Sequence, residues 1–186
     1  MVPVLHRSET KAFSLLELLI VLAVLGVIAG SLGAASVRAT GRGRTIGCLS
    51  NLRQWGAATF LHTLDHNDDL PFDGAPNGIS VRDAWYVDLP KAINRRTYGE
   101  EGAWRTNPAV RPPNSIWACP ANQRRSNGRM LFHYSLNRRV NGSGDERRQT
   151  RCAQIPEPSS LVWLFDNGKL AAVAAEGNAH TNTHGD

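Results

Sequence analysis

From residue 13 to residue 37 the chain carries one charge, Glu17, in a run otherwise made of Phe, Leu, Ile, Val, Ala, Gly and Ser. A bilayer span needs about 20 apolar residues at 1.5 Å rise each, so the run predicts a membrane-length helix. A secretory signal peptide has a shorter apolar core, of roughly 7–15 residues, closed by a small-residue cleavage site. Here the small residues Gly26, Gly30, Gly33, Ala34 and Ala35 are spread through the second half, and Gly26 and Gly30 form a small-xxx-small pair that lets helices approach closely. A carboxylate in such a segment is costly and needs a partner. A plain signal anchor supplies none. On a helix, Glu17 shares a face with Phe13, four residues earlier.

The segment Phe-Ser-Leu-Leu-Glu-Leu-Leu-Ile-Val, residues 13–21, resembles the N-terminal processing motif of type IV pilins and type II secretion pseudopilins. The resemblance implies that a prepilin peptidase removes a leader, Met1 to Ala12, and that the new N-terminal residue, Phe13, is N-methylated. Ala12 stands where the family usually has Gly. Glu17 is then the fifth residue of the mature chain. The new α-amino group is cationic near neutral pH. In a filament it would pair with Glu17 of a neighbouring subunit, neutralising a charge that lipid disfavours. The implied partners are the peptidase, other pseudopilin subunits and the inner membrane, with the head in the periplasm. Charge alone argues the other way. Arg38, Arg42 and Arg44 outweigh Arg7 and Lys11, which face Glu9, and the positive-inside rule would keep the C-terminal side in the cytoplasm. A dedicated processing site is more specific than that rule.

The 186 residues leave about one domain beyond the anchor. The formal charge is +5, and 18 of the 21 basic residues are Arg. A basic surface suits nucleic acid, anionic lipid or acidic polymers. No interleaved aromatic-basic motif accompanies it, so a solvated basic face is the simpler reading. Three cysteines, Cys48, Cys119 and Cys152, allow one disulfide outside the cytoplasm. A Cys48–Cys119 bridge is favoured because it would tie the long helix to the globular part; three buried thiols are the alternative. No CxxC spacing suggests zinc.

The helix is expected to continue to about residue 64. Ile46, Leu49, Leu52, Trp55, Phe60 and Leu64 recur mostly at three- or four-residue spacing and predict one stripe facing the core. Gly41, Gly43 and Gly47 predict a kink or local melting near 40–47. Prolines and glycines punctuate residues 65–115, with a short amphipathic element from Ala84 to Ile93. Strands are expected at Asn114–Cys119, Met130–Leu136 and, most strongly, Ser160–Phe165, closed by Asp166, Asn167 and Gly168; Lys169–Ala175 is its expected hairpin partner. Arg138–Thr150 reads as an exposed loop. The fold expected is α+β and pilin-like, a long N-terminal helix on a small antiparallel sheet. Its segments are a leader (1–12), a transmembrane helix (13–37), an amphipathic continuation (38–64) and a head (65–186).

The head adds a second resemblance. Cys48 with Asn51-Leu52-Arg53-Gln54, Asp65 with Asp69-Leu70-Pro71, Trp117-Ala118-Cys119-Pro120, Tyr134-Ser135-Leu136-Asn137, and Pro158 with Leu164-Phe165-Asp166 follow one another as in a pseudopilin-like family of planctomycetes. Members end in an Asp-Gly-His segment, whereas this chain ends His184-Gly-Asp186. The resemblance therefore implies either truncation or loss of the last strand.

Asp65, Asn67 and Asp69 have a D-x-N-x-D spacing that suits calcium, as in some secretion pseudopilins, but lack the later Gly and Glu of a calcium loop. A polar helix-terminating turn is the favoured reading. His62 with His66, and His180 with His184, have the i,i+4 spacing of metal ligands, though surface histidines explain them more simply. Cys119 and His133 could be drawn as a nucleophilic dyad, but no third orienting group or nucleophile elbow supports an enzyme. The reading is a non-enzymatic pseudopilin. Its rivals are a type IV or competence pilin whose basic head binds DNA, and an anchored binding domain that never polymerises; an anchored hydrolase ranks last.

Overall fold

The computed structural model describes residues 14–141, 149–170 and 172–174; the side chains of 29, 31–38, 167–170, 173 and 174 are outside that description. The chain divides into two compact units, Met1–Gly41 and Arg42–Asp186.

Helix α1 runs from Leu15 to Asp65. It starts at a capping box. The Glu17 N–H donates to Ser14 Oγ (3.2 Å), and the Ser14 N–H donates to Glu17 Oε2 (2.9 Å). Helical hydrogen bonding continues through Gly41, Gly43 and Gly47, so the local melting expected there does not occur. Gly47 has a local reason. A Cβ at that position would stand 3.0 Å from Pro120 Cγ, so a larger residue would push the Pro120 ring back by a few tenths of an ångström.

The helix ends by a left-handed turn. Asn67 and Asp68 have φ of 53° and 71°, and the Asp68 N–H donates to the Thr63 carbonyl (2.9 Å). This closes the last turn as in a Schellman motif, with Asn and Asp as the non-glycine residues that best tolerate the conformation.

In the second unit one face of α1 lies against the core. Cys48, Asn51, Trp55, Ala58 and His62 are buried and alternate at spacings of three and four. The stripe expected from the sequence is corrected here. Of its six members Trp55 is buried and Leu52 partly so, while Ile46, Leu49, Phe60 and Leu64 lie on the opposite face and are 50–65% exposed. Asn51 and Thr59 take inward positions because each finds a partner, whereas the buried His62 Nε2 has none among the described residues. Asn51 Nδ2 donates to the Ser115 and Ala118 carbonyls (3.1 and 2.9 Å), and Thr59 Oγ1 accepts from Trp163 Nε1 (3.1 Å).

Helix α2, Trp85–Ala92, is the expected amphipathic element and buries Trp85, Tyr86 and Leu89. The core around it is aromatic. Trp55 meets Trp85 and Trp117 edge-on at centroid distances of 5.4 and 4.7 Å, and Tyr98 stacks on Phe132 at 3.9 Å. Gly78, at φ +74°, is needed beside this stack, because a Cβ there would fall 2.6 Å from Tyr98.

The sheet has three strands in the order β2-β1-β3, with β1 Phe132–Asn137, β2 Leu164–Leu170 and β3 Val173–Ala174. The fold is α+β, as expected, but the sheet is mixed. Strand β1 pairs antiparallel with β2 (Tyr134 opposite Asp166, Leu136 opposite Leu164) and parallel with β3 (Leu136 opposite Val173). Three further expectations are corrected. Residues 114–119 form turns and bends, whose carbonyls are taken by Asn51 and Trp55 rather than by a strand. Strand β2 starts at Leu164, after a 3-10 turn at Pro158–Ser160, so Asp166, Asn167 and Gly168 lie within it instead of closing it. The segment after β2 crosses to the far side of β1 instead of returning as its hairpin partner. Ala172 secures that crossing: its carbonyl accepts from Leu136 N–H (3.0 Å) and Trp85 Nε1 (2.9 Å). The loop expected at 138–150 is only partly exposed, since Asn141 is fully buried, bonded to the Pro71 carbonyl and to Asp73 Oδ1; residues 142–148 lie outside the described residues.

Candidate functional site

The first turn of α1 holds Glu17 as an exposed side chain, one carboxylate oxygen of which already caps Ser14. Sequence reasoning missed this role, although Ser-x-x-Glu before an apolar run is a recognisable capping box. Beyond Glu17 the helix is apolar on every side. Leu15, Leu16, Leu18, Leu19, Ile20 and Val21 are all 47–79% exposed, and so are the large apolar residues up to Ile28. A helix that is apolar all round needs lipid or other helices around it. Among the described residues no helix is long and apolar enough to cross a membrane; the side chains of 31–38, in the second half of the expected span, fall outside the description. Ala12 and Phe13 also lie outside the described residues, as do His180 and His184.

Residues 7–33 match the prokaryotic N-terminal methylation motif.

The motif supports a type IV pilin-like or pseudopilin precursor, and members of that class are structural subunits. It implies processing by a prepilin peptidase and assembly with other pilin-like subunits. It covers Ala12, Phe13 and Glu17 but not the head. No curated protein and no solved structure matches the chain.

In the head, Cys48 of α1 is joined to Cys119 by a disulfide that closes a sequence separation of 71 residues. Asp166 brings a carboxylate oxygen within 4.8 Å of both sulfurs, but bonded sulfurs offer no thiolate to a metal. The same bond removes Cys119 as a nucleophile. What Cys119 offers His133 is its backbone N–H, which donates to His133 Nδ1 (3.1 Å), while His133 Nε2 faces the Arg124 carbonyl (3.3 Å). His133 is thus held as the neutral Nε2–H tautomer in a structural role. Cys152 is a half-buried free thiol, pushed up by burial and then by the nearby Asp68 carboxylate.

The acidic turn is engaged within the protein. Asp69 pairs with Arg151 (3.4 Å), and Asp68 Oδ2 accepts the Ala153 N–H (2.8 Å). Asp65 is the last residue of α1, and Asn67 supplies the left-handed turn after it. These contacts fasten the end of α1 to residues 150–153. His62 and His66 stack at 3.9 Å with rings 12° from parallel, and His66 Nδ1 lies 2.8 Å from the His62 carbonyl. Stacked rings do not converge on one ion.

Burial holds two histidines neutral. His133 is lowered from 6.5 to about 4 by desolvation, against its two backbone hydrogen bonds. His62 is lowered to about 4 by desolvation and then by His66, against Asp65 and Asp69. With a folded-state pKa below the unfolded one, the unfolded chain takes up protons first as pH falls. This stabilisation is complete above about pH 6.5 and is lost as pH falls toward 4; His133 alone accounts for about 3 kcal/mol. Asp88, raised chiefly by burial, acts in the opposite sense. Thermal melts of the head from about pH 7 down to 4 should therefore show a steep fall in Tm, and His133→Gln should flatten it.

Proposed function

We propose that the chain is a pseudopilin, a structural subunit of a type II secretion-like filament that acts by assembly and not by catalysis. A prepilin peptidase cuts between Ala12 and Phe13, the Phe13 amine is methylated, and the apolar run holds the subunit in the inner membrane with its head in the periplasm. In the filament Glu17 pairs with the Phe13 amine of a neighbour and sets the axial register. The observation that carries this reading is the methylation motif at residues 7–33, supported by the apolar surface that α1 presents on every side from Leu15 to Ile28. Mass spectrometry of the mature N-terminus tests it directly. A methylated Phe13 is expected, and an intact Met1 would overturn it.

The capping box gives Glu17 a second, purely local role, and two substitutions separate the roles. Glu17→Gln keeps an oxygen to accept from Ser14 N–H but removes the charge; it should insert in the membrane and fail to enter filaments. Ser14→Ala removes a cap of about 1 kcal/mol and leaves the charge; it should assemble normally. The reverse pattern in a filament-incorporation assay would mean that Glu17 serves the helix start and not the neighbouring subunit.

A further inference from the structure

A cleft of about 460 Å³ opens on the head where α1, the end of α2 and residues 114–117 meet. Its floor is the buried Ile116 and Trp117. Its walls carry the side chains of Gln54, Asn94, Arg95, Arg96, Glu101 and Asn114. Three hydrogen bonds fix the walls to one another. Asn51 Nδ2 and Trp55 Nε1 on α1 donate to the carbonyls of Ser115 and Ile116, and Trp117 Nε1 donates to the Arg96 carbonyl (3.3 Å). Asn94 aims the arginines. It is left-handed (φ 53°), and the N–H of Arg95 donates back to the Pro90 carbonyl (2.8 Å), so α2 ends in a tight turn that sets Arg95 and Arg96 on the cleft.

Both arginines are exposed, and among the described residues neither guanidinium has an ion-pair or hydrogen-bond partner. Arg96 acts only at a distance, helping to lower Glu100 after that carboxylate's own bonds to Thr97. Two unpaired guanidinium forks beside primary amides on preformed walls are suited to planar carboxylates flanked by peptide amides. Phosphate polymers fit less well. Glu101 places a negative charge on the same cleft, and its Oε2 is held in place by Trp104 Nε1 (3.2 Å). We propose that this cleft binds a carboxylate-bearing peptide segment of a partner protein, with Arg95 and Arg96 clamping the acidic side chain and Gln54, Asn94 and Asn114 reading the peptide backbone.

The test uses the full chain in detergent and a fluorescent tetraglutamate peptide, followed by anisotropy at low salt. Saturable binding is expected, weakened about tenfold or more by Arg95→Gln with Arg96→Gln and strengthened by Glu101→Gln. A control pair at exposed arginines outside the cleft, Arg111→Gln with Arg129→Gln, should leave binding unchanged. Failure of the peptide to bind would overturn the proposal. So would an equal loss in the control pair, which would indicate a general basic surface, or tighter binding of an oligothymidylate through the same two arginines, which would make the site one for phosphate. Thermal melts of each variant confirm that exposed arginines are being removed from a folded head.

Discussion

Replacing Cys48 and Cys119 by serine should cost the head about 4 kcal/mol, because the bridge closes a separation of 71 residues and shortens a long loop in the unfolded chain. The loss is a large share of the roughly 5–15 kcal/mol that holds a domain together. It also extends beyond the sulfur atoms. The Ala121 N–H donates to Cys48 Sγ (3.4 Å), and Asn51, one turn along α1, donates to the Ala118 carbonyl. The bridge therefore sits inside a hydrogen-bonded seam between α1 and residues 115–121. Denaturant unfolding of the oxidised chain, the reduced chain and the double variant checks this. The last two should unfold at similar, much lower denaturant concentrations.

The second large effect is expected at Trp55. This residue is fully buried, meets Trp85 and Trp117 edge-on, and donates from Nε1 to the Ile116 carbonyl (3.1 Å). Trp55→Ala should cost about 3–5 kcal/mol from the cavity alone, with a further penalty of about 1 kcal/mol or more for the carbonyl left unbonded. Trp55→Phe retains most of the ring contact and should cost clearly less. Since the Ile116 carbonyl also anchors the floor of the arginine cleft, Trp55→Phe should weaken tetraglutamate binding more than its small loss of stability accounts for. Equilibrium unfolding and the anisotropy titration, run on the same variant, separate the two.

How far the sequence could be read depended on whether the deciding interaction was local. The long helix and α2 follow from patterns within about ten residues. So does the start of α1, which the Ser14-x-x-Glu17 spacing encodes as a capping box. The face of α1 that turns inward could not be read this way. Hydrophobicity singled out Ile46, Leu49, Phe60 and Leu64 along with Trp55, yet Asn51, Thr59 and His62 are buried beside Trp55 while those four are exposed. For Asn51 and Thr59 the reason lies more than 60 positions away, in the carbonyls of Ser115 and Ala118 and the indole of Trp163. Strand β2 was misplaced for a similar reason. Residues 160–163 have strand-forming side chains, but the pairing with β1 begins at Leu164. The arginine cleft draws on residues from 51 to 117 and has no signature in any one stretch of sequence.

The Cys48–Cys119 bond has a mechanical consequence. A tension entering the head at Arg42 reaches Cys48 along six residues of helix and can then pass by covalent bonds to Cys119, next to β1 and the aromatic core. The rest of α1, from Leu49 to Asp65, lies in parallel with that strap and not in series with it. The oxidised head should therefore bear load without its helix peeling away, whereas in the reduced head a pull would unzip α1 from the core one hydrogen bond at a time.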